Sequence, residues 1–432
     1  MSLTRFASTV AVVLAFLAIT GSAFAARREL VLHTFRVDTG SDGYYPFGPL
    51  IFDVAGNLYG TTSRGTDSGG TVFELTPGSD GTWTETILNN CSPNCTAGSP
   101  FGGVIFDGAG NLYGTTMDGG AYDGGTVFEL TPGLGGTWTE TILYNFCSVS
   151  KCADGGSPYA NLIFDAAGNL YSTTSIGGAR NGGTVFELTP GADGKWREKV
   201  LHSFEEPGHT AAGPFGGVVF DSAGNLYGTT WAGGIKSNNS NNCDPYSKEG
   251  CGRVFELMPN ADGTWSERTL HRFNGKDGAN PQAGVVLDGG GNVYGTTYYG
   301  GAGCNGEGCG VAFRLTQVNG RWTEKVIHDF NVSGADGYFP FAGLIFDAAG
   351  NLYGTTSYSV PGGAGTVFEL TPGADDKWTE IIVHNWGTCE FGCGPESPVT
   401  FDQDGNLYGT TLAGTCGENC GGTVYEIKAK PQ

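Results

Sequence analysis

The amino-acid sequence predicts an all-β protein, a seven-bladed β-propeller with four antiparallel strands in each blade. Three observations lead to this prediction. One motif recurs seven times, every repeat contains short strand-like runs, and the run missing from the last repeat occurs at the front of the chain. Repeats of this kind bury their apolar faces by stacking on their neighbours, which a ring of blades achieves.

The repeated motif is Gly-Asn-Leu-Tyr-Gly-Thr-Thr or a close variant. Its copies are 54 to 67 residues apart, which is too long for ankyrin or leucine-rich repeats and suits a four-stranded blade. Two copies vary, with Ser172 in place of the second glycine and Val293 in place of leucine. The seven copies begin at Gly56, Gly110, Gly168, Gly224, Gly291, Gly350 and Gly405.

Each repeat divides into four strand-sized runs, as the first repeat illustrates. Its runs are residues 50–52, 57–62, 71–75 and 83–88. An Asp/Gly turn separates the first two runs and a Pro/Gly/Asp turn separates the last two, as in antiparallel hairpins. Apolar runs without alternation indicate strands that are covered on both faces, as stacked blades require.

The two ends of the chain predict how the ring closes. The seventh repeat stops after its third strand, and residues 29–35 match the fourth-strand pattern of residues 199–204. We therefore expect the N-terminal strand to complete the last blade, so that no sheet edge stays open. Residues 26–432 are predicted to be a single propeller domain, and we expect it to be monomeric.

Residues 1–25 are predicted to be a secretory signal peptide. Arg5 supplies a positive charge, residues 10–19 are apolar, and Ala23-Phe24-Ala25 is a small-x-small cleavage site. The apolar run is shorter than the roughly 20 residues that span a bilayer. The sequence thus predicts cleavage near Ala25, a secreted or periplasmic product, and no membrane span.

Charge and composition exclude some partners. The chain has 43 acidic and 22 basic residues, a formal charge of −21, which argues against nucleic acid and against an anionic membrane surface. We expect no cofactor and no bound metal.

Residues that recur in every blade indicate scaffold rather than one active site. The hairpin aspartates could be read as a ring of metal ligands, but an Asp that caps a turn explains them better. A histidine recurs in one register of the outer strand in five repeats, with Asn89 and Tyr144 at that place in the others, so catalysis there is not expected. The tryptophans that begin the fourth strands are interpreted as packing residues. The hairpin aspartates are Asp53, Asp107, Asp165, Asp221, Asp288, Asp347 and Asp402.

The twelve cysteines form six local pairs. Because disulfides persist in the oxidising compartments that exported proteins reach, we predict that each pair forms a disulfide. By topology all six should lie on one face of the propeller, in connections from second to third strand or from fourth to next first strand. Zinc is the alternative, and only Cys389, Cys393, Cys416 and Cys420 could form a four-sulfur set. The pairs are Cys91 and Cys95, Cys147 and Cys152, Cys243 and Cys251, Cys304 and Cys309, Cys389 and Cys393, Cys416 and Cys420.

Residues 37–428 resemble the GloVer tandem repeat, named after Gloeobacter and Verrucomicrobia. The likeness rests on the proline, the hairpin aspartate, GNLYGTT and TVFEL recurring in register. It implies an exported protein and no characteristic enzymatic activity. A weaker likeness exists to lactonase-type and streptogramin-lyase-type propellers with D-x-x-G-N-L-Y in their blades.

The predicted function is a noncatalytic binding module that holds an extracellular carbohydrate or peptide on the cysteine-bearing face. Exposed aromatic residues beside glycine-rich loops suit stacking on sugars or contact with a peptide, although ordinary loop packing would also explain them. The candidate binding residues are Tyr44, Tyr45, Met117, Trp231, Tyr298, Tyr299, Tyr338 and Phe339.

The alternative function is a secreted hydrolase or lyase that acts at the propeller funnel, similar to lactonases, glycosidases or streptogramin lyases. No nucleophile motif, phosphate loop or HExxH motif occurs. The candidates for acid–base catalysis are His209, Glu205 and Glu206, because a histidine with nearby carboxylates can act as a general base.

Overall fold

The computed structural model describes residues 28–37, 42–65, 69–90, 98–204, 213–234, 243, 250–304, 308–332, 336–359, 363–387, 393–414 and 420–429. These residues form seven four-stranded antiparallel sheets and one additional two-stranded pair. The predicted seven-bladed propeller is confirmed. We number the blades 1 to 7 in the chain order of their inner strands.

Each blade has an inner, a second, a third and an outer strand. The inner strands are Ile51–Phe52, Ile105–Phe106, Ile163–Phe164, Val219–Phe220, Val286–Leu287, Ile345–Phe346 and Thr400–Phe401. The second strands are Leu58–Thr62, Leu112–Thr116, Leu170–Thr174, Leu226–Thr230, Val293–Thr297, Leu352–Thr356 and Leu407–Thr411. The third strands are Thr71–Pro77, Thr126–Pro132, Thr184–Pro190, Arg253–Pro259, Val311–Val318, Thr366–Pro372 and Cys420–Ile427.

Within each blade the outer strand is at least as long as any other strand, and the inner strand is the shortest. The outer strands are Trp83–Asn90, Trp138–Asn145, Trp196–Ser203, Trp265–Arg272, Arg321–Asp329, Trp378–Asn385 and, for blade 7, Glu29–Arg36. The extra pair is Gly337–Tyr338 with Tyr358–Ser359, and short 3-10 turns occupy Leu134–Gly136, Ser150–Cys152 and Ala374–Asp376.

The N-terminal strand closes the ring, as predicted. Glu29 pairs with Ile427 and Thr34 with Thr423, in antiparallel register with the third strand of blade 7. The indole Nε1 of Trp386 in blade 6 donates to Glu29 Oε1 at 2.8 Å. On the other side, Phe35 packs edge-on against Phe73 of blade 1, with ring centroids 5.2 Å apart. Blade 7 therefore contacts both neighbours through its N-terminal strand.

The hairpin aspartates are turn caps. Asp53 Oδ1 accepts hydrogen bonds from the backbone N–H groups of Ala55 and Asn57 at 2.9 and 2.8 Å. Its Oδ2 accepts from the Asn57 side chain at 2.8 Å. The same pattern recurs at the hairpins of the other six blades. The capping interpretation is confirmed, because these bonds satisfy the turn backbone locally.

The Gly-Thr-Thr end of the motif joins each blade to the next. A Cβ on Gly60 would lie 2.6 Å from the Phe73 ring, so a larger residue there requires that ring to shift. Blade 3 has Ser172 at this position, opposite Phe186. The Thr61 hydroxyl donates to the backbone oxygen of Gly102, in blade 2, at 2.9 Å. Equivalent threonine bonds cross the other blade interfaces. The first threonine of the motif thus makes the same kind of hydrogen bond at every blade interface, which explains why it recurs in every repeat.

The core consists of clusters that lie between adjacent blades. In the cluster between blades 1 and 2, Leu112 and Phe128 are almost fully buried. An inner-strand phenylalanine packs edge-on against the second-strand tyrosine of the preceding blade, as Phe106 does on Tyr59 at 5.0 Å. The outer-strand Trp196 packs similarly on Tyr113 of the preceding blade. The prediction that these tryptophans are packing residues is confirmed.

The propeller has two unlike faces. The hairpin face carries the short turns capped by aspartate, and we call the opposite side the loop face. The loop face carries the connections from second to third strand and from outer strand to the next inner strand. These two kinds of connection pair with each other, for example between Gly156 and Ile176 and between Ala279 and Tyr299. Among the described residues, no helix is long and apolar enough to cross a membrane.

Candidate functional site on the loop face

An axial funnel lies at the centre of the ring. Each blade has a proline seven residues before its hairpin aspartate, and the residue that follows the proline lines the funnel. The cavity has a volume of about 240 Å³. The chain enters each inner strand from the loop face, so these side chains lie at that end of the axis. They are Phe47, Phe101, Tyr159, Phe215, Gln282, Phe341 and Glu396.

Five of these seven side chains are aromatic and form a belt around the funnel. The rings of Phe101 and Tyr159 are stacked, with centroids 4.5 Å apart. Phe47 lies 5.0 Å from Phe101 and 6.3 Å from Phe341. Tyr159 lies 5.6 Å from Phe215. The belt offers ring faces and edges to anything that enters the funnel.

Close backbone packing surrounds the axis beneath this belt. A Cβ on Gly48 would lie 2.4 Å from the backbone nitrogen of Gly103, and one on Gly216 would lie 2.1 Å from that of Gly284. Larger residues would not fit there without a shift of the backbone. Because these glycines have no side chains, the backbones of the blades approach closely and the funnel is narrow here. The lining residues that differ most between blades are those of the aromatic belt.

Glu396 is the only charged group among the described residues that line the funnel. Burial raises the pKa of Glu396 to about 7, and the Ser357 hydroxyl acts in the opposite direction. Burial, followed by the field of Glu396, also raises the pKa of the Tyr159 hydroxyl. This carboxyl is consequently poised to exchange a proton near neutral pH, beside aromatic rings.

Two of the predicted binding residues stand next to the aromatic belt. The half-buried Trp231 lies 6.2 Å from Phe215 and 6.4 Å from Tyr298. Tyr298 lies 6.1 Å from Phe341 in an edge-on arrangement. Both follow the Thr-Thr of a second strand, and together they extend the belt outwards on the side of blades 4 and 5.

Three more predicted residues continue this aromatic surface. Phe339 stacks on Tyr298, with centroids 5.0 Å apart. Tyr299 contacts both Trp231 and Phe339, although it also packs against the core between blades 4 and 5. Tyr338 contacts Phe339 at 5.2 Å.

The other predicted binding residues are separate from this group. Tyr44 packs against the core between blades 7 and 1, and it contacts Tyr45 at 5.0 Å. Tyr45 is exposed. Met117 is half-buried, and its backbone N–H donates to Ser99 at 2.8 Å. No contact described here joins these three side chains to Trp231 or Tyr298.

Three of the predicted cysteine pairs are disulfides in the described residues. They are Cys147–Cys152, Cys243–Cys251 and Cys304–Cys309, and all lie in loop-face connections. Cys393 is described, whereas Cys91, Cys95, Cys389 and Cys416 and the side chain of Cys420 lie outside the described part. The same holds for the signal peptide and for the catalytic candidates His209, Glu205 and Glu206.

The aromatic belt was missed at the sequence level, although a signal for it exists. The prolines were interpreted only as part of the recurring repeat pattern. The position after each proline is aromatic in five repeats and polar in the other two. A position that keeps its register but changes its chemistry between repeats is typical of a surface open to a ligand.

A family model described as the Gloeobacter/Verrucomicrobia repeat matches residues 65–241 and 244–432. The chain belongs to this family. The resemblance inferred from GNLYGTT and TVFEL is thereby confirmed. Membership in the Gloeobacter/Verrucomicrobia repeat family accounts for the scaffold, whereas the belt and its rim depend on residues that differ between repeats.

Solved structures of proteins with other descriptions are similar to this chain. Polysaccharide lyase Uly1 is 12% identical, with a TM-score of 0.50, and the match covers 93% of this chain and 98% of that one. A luciferin-regenerating enzyme is 12% identical, with a TM-score of 0.42 and coverage of 93% and 96%. A glucose dehydrogenase is 15% identical, with a TM-score of 0.39 and coverage of 93% and 100%. At these identities the likeness concerns the fold alone.

A comparison with curated proteins gives no significant match.

Proposed function

We propose that this protein is an exported, noncatalytic binding module that holds a carbohydrate on its loop face, over the axial funnel. The observation that carries the proposal is the aromatic belt, extended outwards by Trp231 and Tyr298. Aromatic rings provide flat apolar surface for the C–H faces of a sugar at little cost in side-chain entropy. Gln282 and Glu396 supply polar groups that can bond to its hydroxyls.

Export is part of the same proposal. Residues 1–25 would direct secretion and would be removed near Ala25, which leaves a secreted or periplasmic monomer of residues 26–432. The three described disulfides support it, since such bonds persist mainly in oxidising compartments. A carbohydrate outside the cytoplasm is then an available partner. A peptide is the competing ligand.

A glycan array tests the proposed ligand class, with a peptide library as the competing arm. The double variant Trp231→Ala/Tyr298→Ala should lose at least ~30-fold in affinity, because an interface anchor contributes about 2 kcal/mol or more. Tyr122→Ala is the matched control, since Tyr122 is an exposed loop-face aromatic outside the belt. Its affinity should equal that of the wild type.

Two measurements would contradict this assignment. One is a double variant that binds the glycan as tightly as the wild type. The other is a double variant with a melting temperature well below that of the control, which would make Trp231 and Tyr298 core residues. Binding of peptides alone would replace the carbohydrate with a peptide ligand.

A hydrolase or lyase is the second candidate, and one observation favours it. The raised pKa of Glu396, about 7, suits a general acid or base near neutral pH. A glycosidase needs two facing carboxylates, and Glu396 is the only one among the described lining residues. Screening esterase, lactonase, glycosidase and lyase substrates tests it. Turnover that disappears in Glu396→Gln would establish this candidate over the first.

A further inference from the structure

A glutamate of one blade meets a histidine of the preceding blade at the outer rim of the ring. Every outer strand has a glutamate four residues before the histidine register. At six of the seven interfaces that glutamate lies beside the histidine register of the preceding blade, so residues of both strands meet in the gap between the blades. At the closing interface of blades 6 and 7, His384 Nε2 lies 3.2 Å from Glu29 Oε2.

At three interfaces a loop aspartate joins the histidine and the glutamate. One donor atom from each of the three residues lies within 4.8 Å of the other two. Each set takes its histidine and aspartate from one blade and its glutamate from the next. The sets are His33, Asp42 and Glu85; His271, Asp277 and Glu324; and His328, Asp336 and Glu380.

The spacing of these atoms suits a shared cation better than direct hydrogen bonds. His328 Nε2 lies 3.5 Å from Asp336 and 3.6 Å from Glu380, and the separations in the other two sets range from 3.2 to 3.8 Å. A direct N–H···O bond is usually near 2.9 Å. Zinc–ligand bonds of about 2.0–2.2 Å place two donor atoms roughly 3.0–3.6 Å apart.

Several of these donor atoms are buried without a hydrogen-bond partner. Within the described part of the chain, His328 Nε2, Asp336 Oδ1 and Glu380 Oε1 have none. The Asp336 side chain is only 8% exposed and lies within the cluster. The His33/Glu85 and His271/Glu324 pairs leave the same atoms without partners. Among the residues that the structure describes, His384 Nε2 and Glu198 Oε1 also have none, although they belong to no three-residue set, so the sites are distinguished by the complete set of ligands. A buried polar atom without a partner costs stability, which a ligand would restore.

Interfaces with another residue in the histidine register provide an internal comparison. Between blades 1 and 2, the Asn89 side chain donates to Glu140 at 2.8 Å. Between blades 2 and 3, the Tyr144 hydroxyl donates to Asp154 at 2.9 Å. These groups approach to ordinary hydrogen-bond distance. Where a histidine occupies the register, its Nε2 lies 3.2 to 3.8 Å from the carboxylate oxygens, which is wider than these two bonds.

The carboxylates of two sets are held in place from behind. The Asn274 backbone N–H donates to Asp277 Oδ1 at 2.9 Å, and the Asn331 side chain donates to Asp336 Oδ2 at 2.7 Å. Groups that orient a ligand in this way are typical of metal sites.

We propose that these three blade interfaces are binding sites for a divalent transition-metal ion, for which Zn²⁺ is the probe. An imidazole and two carboxylates form a mixed N/O ligand set with an overall charge of −2, which the ion neutralises. A water molecule would complete the coordination. Because the ligands come from adjacent blades, the ion would fasten blade 7 to 1, 4 to 5 and 5 to 6. This inference is independent of the carbohydrate proposal.

Zinc titration of the chelator-treated full chain tests the proposal, with stoichiometry by isothermal calorimetry and by elemental analysis. The wild type should bind three equivalents, and its melting temperature should rise with Zn²⁺. The variants Glu85→Gln, Glu324→Gln and Glu380→Gln should each lose one equivalent, and the triple variant should lose all three. Glu198→Gln is the matched control, because its interface has Tyr144 instead of histidine, and it should keep three.

Zinc bound by cysteines would remain in the triple variant, so a stoichiometry equal to that of the wild type overturns the proposal. A wild type that binds no zinc overturns it as well. If Glu380→Gln does not fold, Asp336→Asn removes another ligand of the same site. Circular dichroism shows whether each variant is folded. One equivalent lost in either variant, with an unchanged spectrum, supports the assignment.

Discussion

Replacing Glu198 by glutamine should change how the stability of the propeller depends on pH. Glu198 lies between blades 2 and 3, where its Oε1 is buried and has no partner among the described residues. Burial, reinforced by the charge of Asp154, raises the pKa of Glu198 from 4.5 to about 8. Glutamine has nearly the same shape and cannot ionise, so it imitates the protonated side chain.

The sign and size of the effect follow from the linkage between proton binding and folding. Between about pH 4.5 and pH 8 the folded protein holds a proton on Glu198 that the unfolded chain has lost, so stability falls as the pH rises. A full shift would correspond to about 5 kcal/mol. Because Glu198 is only half-buried and solvent screens its charge, we expect a contribution on the order of 1–3 kcal/mol.

The measurement is urea denaturation of the wild type and Glu198→Gln at about pH 5 and about pH 8.5. The two proteins should have similar free energies of unfolding at the lower pH, and the variant should be more stable at the higher pH. Glu140→Gln is the control. The Asn89 amide donates to Glu140 and opposes the rise in the pKa of Glu140. The stability difference between Glu140→Gln and the wild type should therefore change less between the two pH values. If the free energies of unfolding of Glu198→Gln and the wild type differ by the same amount at both pH values, the reasoning is refuted.

Three further changes test the fold. Phe35→Ala should lower the free energy of unfolding by about 3–5 kcal/mol, since this buried ring joins the N-terminal strand to blade 1; a loss below ~1 kcal/mol in urea denaturation would contradict the closure. Gly114→Ala should cost about 1–3 kcal/mol, because its Cβ would lie 2.5 Å from the Phe128 ring; a thermal melt equal to that of the wild type would count against this packing. Asp107→Ala should cost about 1–2 kcal/mol through the lost turn cap, whereas Asp107→Asn should recover part of it in the same assay.

The fold was predictable because it follows from contacts that repeat in register. Each GNLYGTT copy places an asparagine on the turn aspartate and a threonine on the next blade, as Asn57 and Thr61 do. Because each copy of the motif belongs to one blade, seven copies predict seven blades. The match of residues 29–35 to an outer strand was enough to predict the closure, because the seventh repeat has a third strand and no outer strand after it.

The sites were less predictable because they depend on how neighbouring blades are placed relative to one another. The register of His328 is visible in the sequence, but nothing in it shows that Glu380 of the next blade lies 3.6 Å away. Likewise, residues after the prolines are 50 or more positions apart and meet only at the axis. Trp231 and Tyr298 were selected as exposed aromatic residues beside glycine-rich loops, and this criterion did not point to Phe101, which follows a proline.

Closure through the first strand has a consequence for how the molecule is made. The segment Glu29–Arg36 finds its partner in Cys420–Ile427, at the opposite end of the described chain. During synthesis the first strand can pair in this way only after almost the whole described chain has been made. Closure of the ring therefore requires both ends of the described chain, and a truncation that removes Cys420–Ile427 would leave Glu29–Arg36 without its partner strand.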